Sequence, residues 1–223
     1  MKVEEKFDNV FLIDGKLATV NLTPGQRVYG EELVRANGKE YRLWDPYRSK
    51  PAAAIKRGLK IFPIKKGMSI LYLGIASGTT ASHFSDIINR TGTGVIYGVD
   101  ISERVLRELI DVADERENII PILADARMIE RYENTILEKV DVVYEDVASP
   151  DQIQIMIRNA QKFLKPQGFA MIAIKSQSID VTKEPKETYK LCLSELEKHF
   201  EILDKVELEP YEKAHMFVVM RLK

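Results

Sequence analysis

The period of the apolar positions changes along the chain. In the first 45 residues they come in short runs broken by turn pairs. VFLI (10–13) and LATVNL (17–22) flank Asp14-Gly15, while LVRA (33–36) and EYRLW (40–44) flank Asn37-Gly38. Such pairs adopt the left-handed conformations that primed two-residue turns require, so each predicts an antiparallel hairpin. Residues 1–48 are therefore expected to form a small β subdomain, too small to bury much alone and so packed on the rest of the chain. Pro51 after Lys50 suits a helix's first turn, and PAAAIKRGL continues it. Residues 49–223 then alternate between buried apolar runs and amphipathic stretches. Strands are predicted at 69–73, 95–99, 119–123 and 140–145, with helices at 79–90, 102–115 and 150–164. A short helical piece precedes the strand at 140. Pro166-Gln167-Gly168 turns into a strand at 169–175, and a helix at 185–199 leads to strands at 201–208 and 215–222. Repeated βα units predict a Rossmann-like parallel sheet covered on both faces. Only EPYEKA separates the last two strands, which predicts a closing antiparallel pair.

The candidate chemistry lies where these strands end. ILYL (70–73) stops at Gly74, and the loop to the helix beginning at Thr79 has the form G-x-x-S-G, with Ser77 and Gly78. A glycine loop between a buried strand and a helix N-terminus admits close approach of an electron-rich ligand group; a plain strand-to-helix turn is the competing reading. The second strand ends at Asp100, placed to accept from ribose hydroxyls or to cap the next helix. Asp125 follows the third strand and could accept from an adenine amino group, again with capping as the alternative. Together the three strand ends point to an adenosine-containing ligand. The missing third glycine and the antiparallel pair favour S-adenosyl-L-methionine over a nicotinamide cofactor. Asp146 and Lys175 end the fourth and fifth strands, and His215 begins the last. Lys50 sits just before the helix leading into the domain. Each of these has a structural reading too: a lysine snorkelling to the rim, a histidine that merely packs.

Bulk properties narrow the class. The 223 residues, 45% hydrophobic, suit one domain with an appendage. Apolar runs fall short of the ~20 residues that span a bilayer, and MKVEEKFDNV has no apolar signal core. A soluble intracellular, cytoplasmic protein with no membrane partner is expected. The single Cys192 excludes an internal disulfide and a cysteine metal cage. The net charge of −1 does not announce nucleic-acid binding, but no acidic residue lies between Asp45 and Asp86. That stretch holds Arg48, Lys50, Lys56, Arg57, Lys60, Lys65 and Lys66, which predicts a locally positive surface suited to a phosphate backbone.

YLGIASGTTASHFSD, RSKPAAAI, DVVYEDVASPDQ, IAIKS and PYEKAHMFVV resemble segments of fibrillarin, in that family's order and across nearly the whole chain. The likeness is to the archaeal form, without the glycine- and arginine-rich extension of eukaryotic fibrillarin. The resemblance implies the S-adenosylmethionine-dependent methyltransferase fold and 2′-O-methylation of ribose in ribosomal and transfer RNA. It further implies a box C/D guide RNA, a Nop-domain scaffold protein and a kink-turn-binding ribosomal-type protein as partners. Carried over position by position, it places Lys50, Asp146, Lys175 and His215 in the catalytic group. Gly74, Ala76, Ser77, Gly78, Thr79, Thr80, Asp100, Ile101, Asp125, Ala126 and Asp146 fall on cofactor motifs, with no metal. Asp100 replaces the family's usual glutamate and Ser149 its usual glutamine. Exposed apolar residues of the β subdomain and of the helix around Ser82–Ile88 are candidates for the scaffold contact. Two rivals stand beside this reading. A small-molecule O-methyltransferase would need an inserted lid, which the chain lacks. A catalytically dead RNA-binding scaffold fits poorly with Lys50, Asp146 and Lys175 all present.

Overall fold

The computed structural model describes residues 2–88 and 93–223. Both turn pairs form primed turns: Asp14 and Gly15 have φ of 47° and 81°, Asn37 and Gly38 of 50° and 72°. They join β2 (Val10–Ile13) to β3 (Lys16–Val20) and β4 (Leu33–Ala36) to β5 (Lys39–Leu43). A strand not expected from the sequence, β1 (Val3–Phe7), adds at the edge, giving the antiparallel order β1-β2-β3-β5-β4.

After α1 (Lys50–Lys56) the chain builds the second sheet. Its strands are β6 (Ser69–Leu73), β7 (Val95–Asp100), β8 (Ile119–Leu123), β9 (Val140–Glu145), β10 (Leu164–Lys175), β11 (Phe200–Glu207) and β12 (His215–Leu222). Between them run α2 (Thr79–Ile88), α3 (Glu103–Asp114), α4 (Gln152–Phe163), the short α5 (Ser176–Ile179) and α6 (Pro185–Leu196). Residues 89 and 90, expected to end α2, lie outside the described residues. The order is β11-β12-β10-β9-β6-β7-β8. β6 to β10 are parallel, and β12 runs antiparallel between β10 and β11. β10 begins earlier than expected, at Leu164, and carries a register shift before Phe169.

Alternation along the strands sorts side chains to two faces. Ile70, Tyr72, Met171 and Ala173 join the core under α1, α2 and the N-terminal subdomain, whose Val10, Leu17 and Trp44 pack into it. Leu71, Leu73, Ala170 and Ile172 join the core under α4 and α6. No described helix is long and apolar enough to cross a membrane.

The subdomain is also tied down by buried charge. Asp86, on α2, takes Arg42 Nη1 from β5 at 3.0 Å and Arg116 Nη1 at 2.7 Å, and the Thr19 hydroxyl of β3 at 2.7 Å. Arg42 Nε donates to Glu31 as well, at 2.6 Å. These groups are buried, and so are all residues of α2 from Thr80 to Ile88. The expectation that this helix offers a scaffold-contact surface is corrected: it is sandwiched between the two sheets.

The basic stretch does not form one face either. Lys50 lies at the carboxyl edge of the parallel strands, whereas Lys65 and Lys66 precede β6 at the opposite edge. Acids from elsewhere meet its backbone: Asp204 accepts from the Lys60 and Ile61 N–H groups and Asp8 from that of Lys66.

Candidate functional site

Five parallel strands end at one edge, and the antiparallel β12 begins there. Gly74, Asp100, Asp125, Asp146, Lys175 and His215 are thus brought together by topology alone. A cleft of about 510 Å³ opens among them, lined by Gly74, Ala76, Asp100, Ile101, Asp125, Ala126, Asp146 and Lys175 and by residues 147–150. Clefts that hold small ligands run from ~300 to 1,000 Å³.

The loop after β6 carries two residues with positive φ, Gly74 at 78° and Ala76 at 54°. A Cβ on Gly74 would stand 3.0 Å from the backbone of Asp146 and Val147, so the glycine lets the β6 and β9 loops touch. Asp100 then fixes this loop to the next, accepting from Ala76 N–H through Oδ2 and from Ser102 N–H through Oδ1, both at 2.9 Å. Ser102 is the N-cap of α3, so Asp100 braces the helix start without capping it. Asp125 is clamped by Arg127, whose Nη2 lies 2.6 Å from Oδ2; hydrogen bonding to this guanidinium holds the carboxyl below its ordinary pKa. Ile101 stands exposed at the rim.

Ser77, Gly78, Thr79 and Thr80 do not line the cleft. Gly78 backs onto α3, where a Cβ would come 2.8 Å from Leu109 Cδ1. The Thr80 hydroxyl is buried against Ser49 Oγ at 2.9 Å, joining α2 to the start of α1.

Lys50 does not line the cleft, yet its Nζ is 3.1 Å from both carboxylate oxygens of Asp146. Lys175 Nζ donates to the Asp146 carbonyl at 2.6 Å and lies 2.8 Å from Oδ1. Among the described residues Oδ1 makes these ion pairs but receives no well-directed hydrogen bond, which leaves a buried acceptor open beside the cleft. Beneath it the Tyr144 hydroxyl is aimed at Asp146 Oδ2; burial, then the charge of Asp146, drive its pKa far up and keep it neutral. His215 is paired with Lys175 across β10 and β12. Its Nδ1 donates to the Lys213 carbonyl at 2.6 Å, which leaves Nε2 to accept when the ring is neutral.

Gln152, which closes the DVVYEDVASPDQ segment, is not among the expected site residues. Buried at the start of α4, it accepts from Lys175 N–H at 2.8 Å and donates to the Val147 and Ala173 carbonyls at 3.2 Å. It therefore locks the Asp146 loop to the Lys175 strand end. Ser149, on the same loop, accepts from Asp151 N–H at 3.1 Å and so caps a turn.

Glu145 is fully buried one residue before Asp146, and neither of its carboxyl oxygens has a partner among the described residues. Burial raises its pKa far above 4.5 despite the nearby Lys175. The unfolded carboxyl ionises above about 4.5 while the folded one keeps its proton, so this group's contribution is complete in acid and is lost as pH rises. Glu145→Gln removes the titration. The variant's unfolding free energy should be flatter with pH above 5 by up to ~1.4 kcal/mol per unit, and no lower at pH 8. Denaturation at several pH values measures this; parallel curves for the two proteins would show Glu145 ionised in the fold.

Comparison with known proteins bears on the whole chain. The fibrillarin family profile matches residues 1–223. The fibrillarin-like rRNA/tRNA 2′-O-methyltransferase of Pyrococcus furiosus is 55% identical over 98% of this chain and 97% of its own. The crystal structure of Aeropyrum pernix fibrillarin with natively bound S-adenosyl-L-methionine superposes with a TM-score of 0.89 at 49% identity, covering 99% of this chain and 98% of the other. The fibrillarin in a crystallised fibrillarin/Nop5p complex gives 0.88 at 40% identity, covering 97% and 98%.

Proposed function

The chain belongs to the fibrillarin family and is an RNA ribose 2′-O-methyltransferase using S-adenosylmethionine; on that premise we propose that it works as the catalytic subunit of a box C/D guide ribonucleoprotein. Its substrates in this reading are ribosomal and transfer RNA. A Nop-domain scaffold protein holds it, a kink-turn-binding protein anchors the guide, and residues 49–223 carry the chemistry. The observation that carries the catalytic part is the convergence of Lys50 and Lys175 on Asp146 beside the strand-edge cleft.

The cleft suits the cofactor on three counts: its volume, the close approach Gly74 permits, and the open acceptor on Asp146. Asp100 would hold the ribose hydroxyls, since each of its oxygens keeps a lone pair beyond its backbone contact. Asp125 and the Ala126 backbone would hold the adenine edge, and Ile101 would cover it. Ser77, Gly78, Thr79 and Thr80 would shape the loop from behind. When bound, the cofactor supplies an electrophilic methyl group on a sulfonium.

The protein's task is to place a ribose hydroxyl and manage its proton. Placement alone can contribute ~7–11 kcal/mol. Lys175 Nζ has two contacts to Asp146 and room for a third partner, which we assign to the 2′ oxygen. As an amine it takes the hydroxyl proton; as an ammonium it steadies the charge growing on oxygen. A single-turnover rate that rises with pH marks the first role and a flat profile the second. Asp146 orients both lysines, Lys50 balances its charge, Gln152 fixes the backbone under Lys175, and His215 is auxiliary.

If base pairing with a guide selects the nucleotide, the protein needs to read only backbone and 2′-hydroxyls. The scattered basic residues fit that division, because they make no sequence-reading surface. In a reconstituted mixture of this chain, scaffold, kink-turn protein and guide, changing the guide's pairing segment should move the methylated nucleotide with it. Methylation at a fixed position whatever the guide, or by the bare chain at an undiminished rate, would overturn the guided assembly.

A further inference from the structure

We propose that Tyr47 and Tyr211 form a nucleobase-stacking platform for an unpaired base of the RNA near the reacting nucleotide. The inference rests on the RNA-methylation reading above and names a residue pair for which that reading has no role.

Every described phenylalanine, tryptophan and tyrosine is at least partly buried except Tyr47, which is 65% exposed. It is three residues from Lys50, within about 10 Å even along a fully extended chain. Its ring meets that of Tyr211 edge to face, with centroids 5.0 Å apart and planes at 70°. Tyr211 is partly buried against the core and belongs to the connection between β11 and β12. That connection is fastened to the catalytic strand end: Ser176 N–H and Oγ donate to the Ala214 carbonyl at 3.2 and 3.0 Å. Tyr47 is held from its own side by a bond from its N–H to Asp45 Oδ1 at 2.8 Å. A largely exposed aromatic ring is therefore placed within three residues of Lys50 and braced by an element fastened to the residue after Lys175.

The ring face, not the surrounding charge, decides what such a pair fits. Asp45 adjoins Tyr47, Glu209 and Glu212 flank Tyr211, and the guanidinium of Arg48 is turned onto the Tyr29 ring at 5.4 Å. Lys213 follows Glu212 and Lys50 lies three residues on from Tyr47, so the charge around the pair is mixed. The ring face itself carries no charge, and every base has a face to stack on it, so stacking serves an enzyme whose guide chooses the sequence.

The test uses the reconstituted complex with substrate RNA carrying 2-aminopurine at each position near the target that is left unpaired with the guide. Wild-type protein should quench the probe at one position, without turnover. Tyr47→Ala should abolish that quench and raise the KM for RNA by about tenfold or more, with kcat at saturating RNA and cofactor affinity held. Tyr47→Phe should keep both the quench and the KM. An unchanged KM and quench in Tyr47→Ala would overturn the platform, and so would loss of scaffold binding with RNA affinity intact, which would make the pair a protein contact. A wild-type chain that quenches yet transfers no methyl group would contradict the methyltransferase reading and leave the platform standing.

Discussion

Replacing Lys175 with Ala will lower the single-turnover rate of methyl transfer by about 10²–10⁴-fold, the range for a positioned proton-transfer group. Cofactor affinity will be nearly unchanged. The two effects separate because Lys175 sits where the cleft meets the Asp146–Lys50 pair. Its Nζ is 2.6 Å from the Asp146 carbonyl and 2.8 Å from Oδ1, so its loss frees one end of Asp146 and leaves Lys50 on the carboxylate. Asp100 and the Gly74–Ala76 loop keep their mutual hydrogen bond in the variant and with it their shape. Rapid-quench transfer from labelled S-adenosylmethionine, beside calorimetric cofactor binding, gives both numbers. A wild-type rate would remove Lys175 from the reaction, and a parallel collapse of cofactor affinity would make it a binding residue instead.

The second large effect lies away from the cleft. Asp86→Ala leaves the guanidinium groups of Arg42 and Arg116 buried without their shared carboxylate. Stranding a buried charge in this way costs about 3–5 kcal/mol. At ~2–4 °C per kcal/mol for a chain of this length, the melting temperature should fall by about 10 °C. The loss should be cooperative, because Asp86 also accepts from Thr19 and from the Leu22 N–H at 3.0 Å and so joins the N-terminal sheet to α2. Glu103→Ala is the control: its pair with Arg107 is exposed, and exposed pairs contribute little. Equal melting temperatures for the two variants would show the buried network to be dispensable.

Most of the architecture was legible because it follows from local rules. Asn-Gly and Asp-Gly dictate the two hairpins, and apolar runs with one βα rhythm dictate the parallel strands. The antiparallel end follows from a connection too short for a crossover. β1 was missed because VEEKF buries neither face fully and reads as a charged tail; it is an edge strand, held by main-chain bonds to β2. The Asp146–Lys175 cluster was legible for a topological reason: parallel strands end on one edge, and β9 and β10 are paired neighbours, so the residues ending them meet wherever the loops go.

Chain position does not give side-chain direction. Ser77 to Thr80 lie next to the cleft in sequence but do not line it: Gly78 backs onto Leu109 of α3 and the Thr80 hydroxyl onto Ser49. Arg127 and Gln152 reach their partners from a turn and from a helix start, where no period marks them. Asp86, Arg42 and Arg116 look like solvent-facing charges in their own segments. Only the packing of one sheet over another brings them inside.

The most direct measurement of the central claim is the chemical position of the transferred methyl group. Guide-paired RNA is incubated with the reconstituted complex and labelled S-adenosylmethionine, digested to nucleosides and analysed by mass spectrometry. The label should lie on the ribose 2′ oxygen of one nucleotide, and Lys175→Ala should lose it. Label on a base nitrogen or carbon, or an undiminished 2′-O signal from the variant, would contradict the assignment of the Lys50–Asp146–Lys175 cluster.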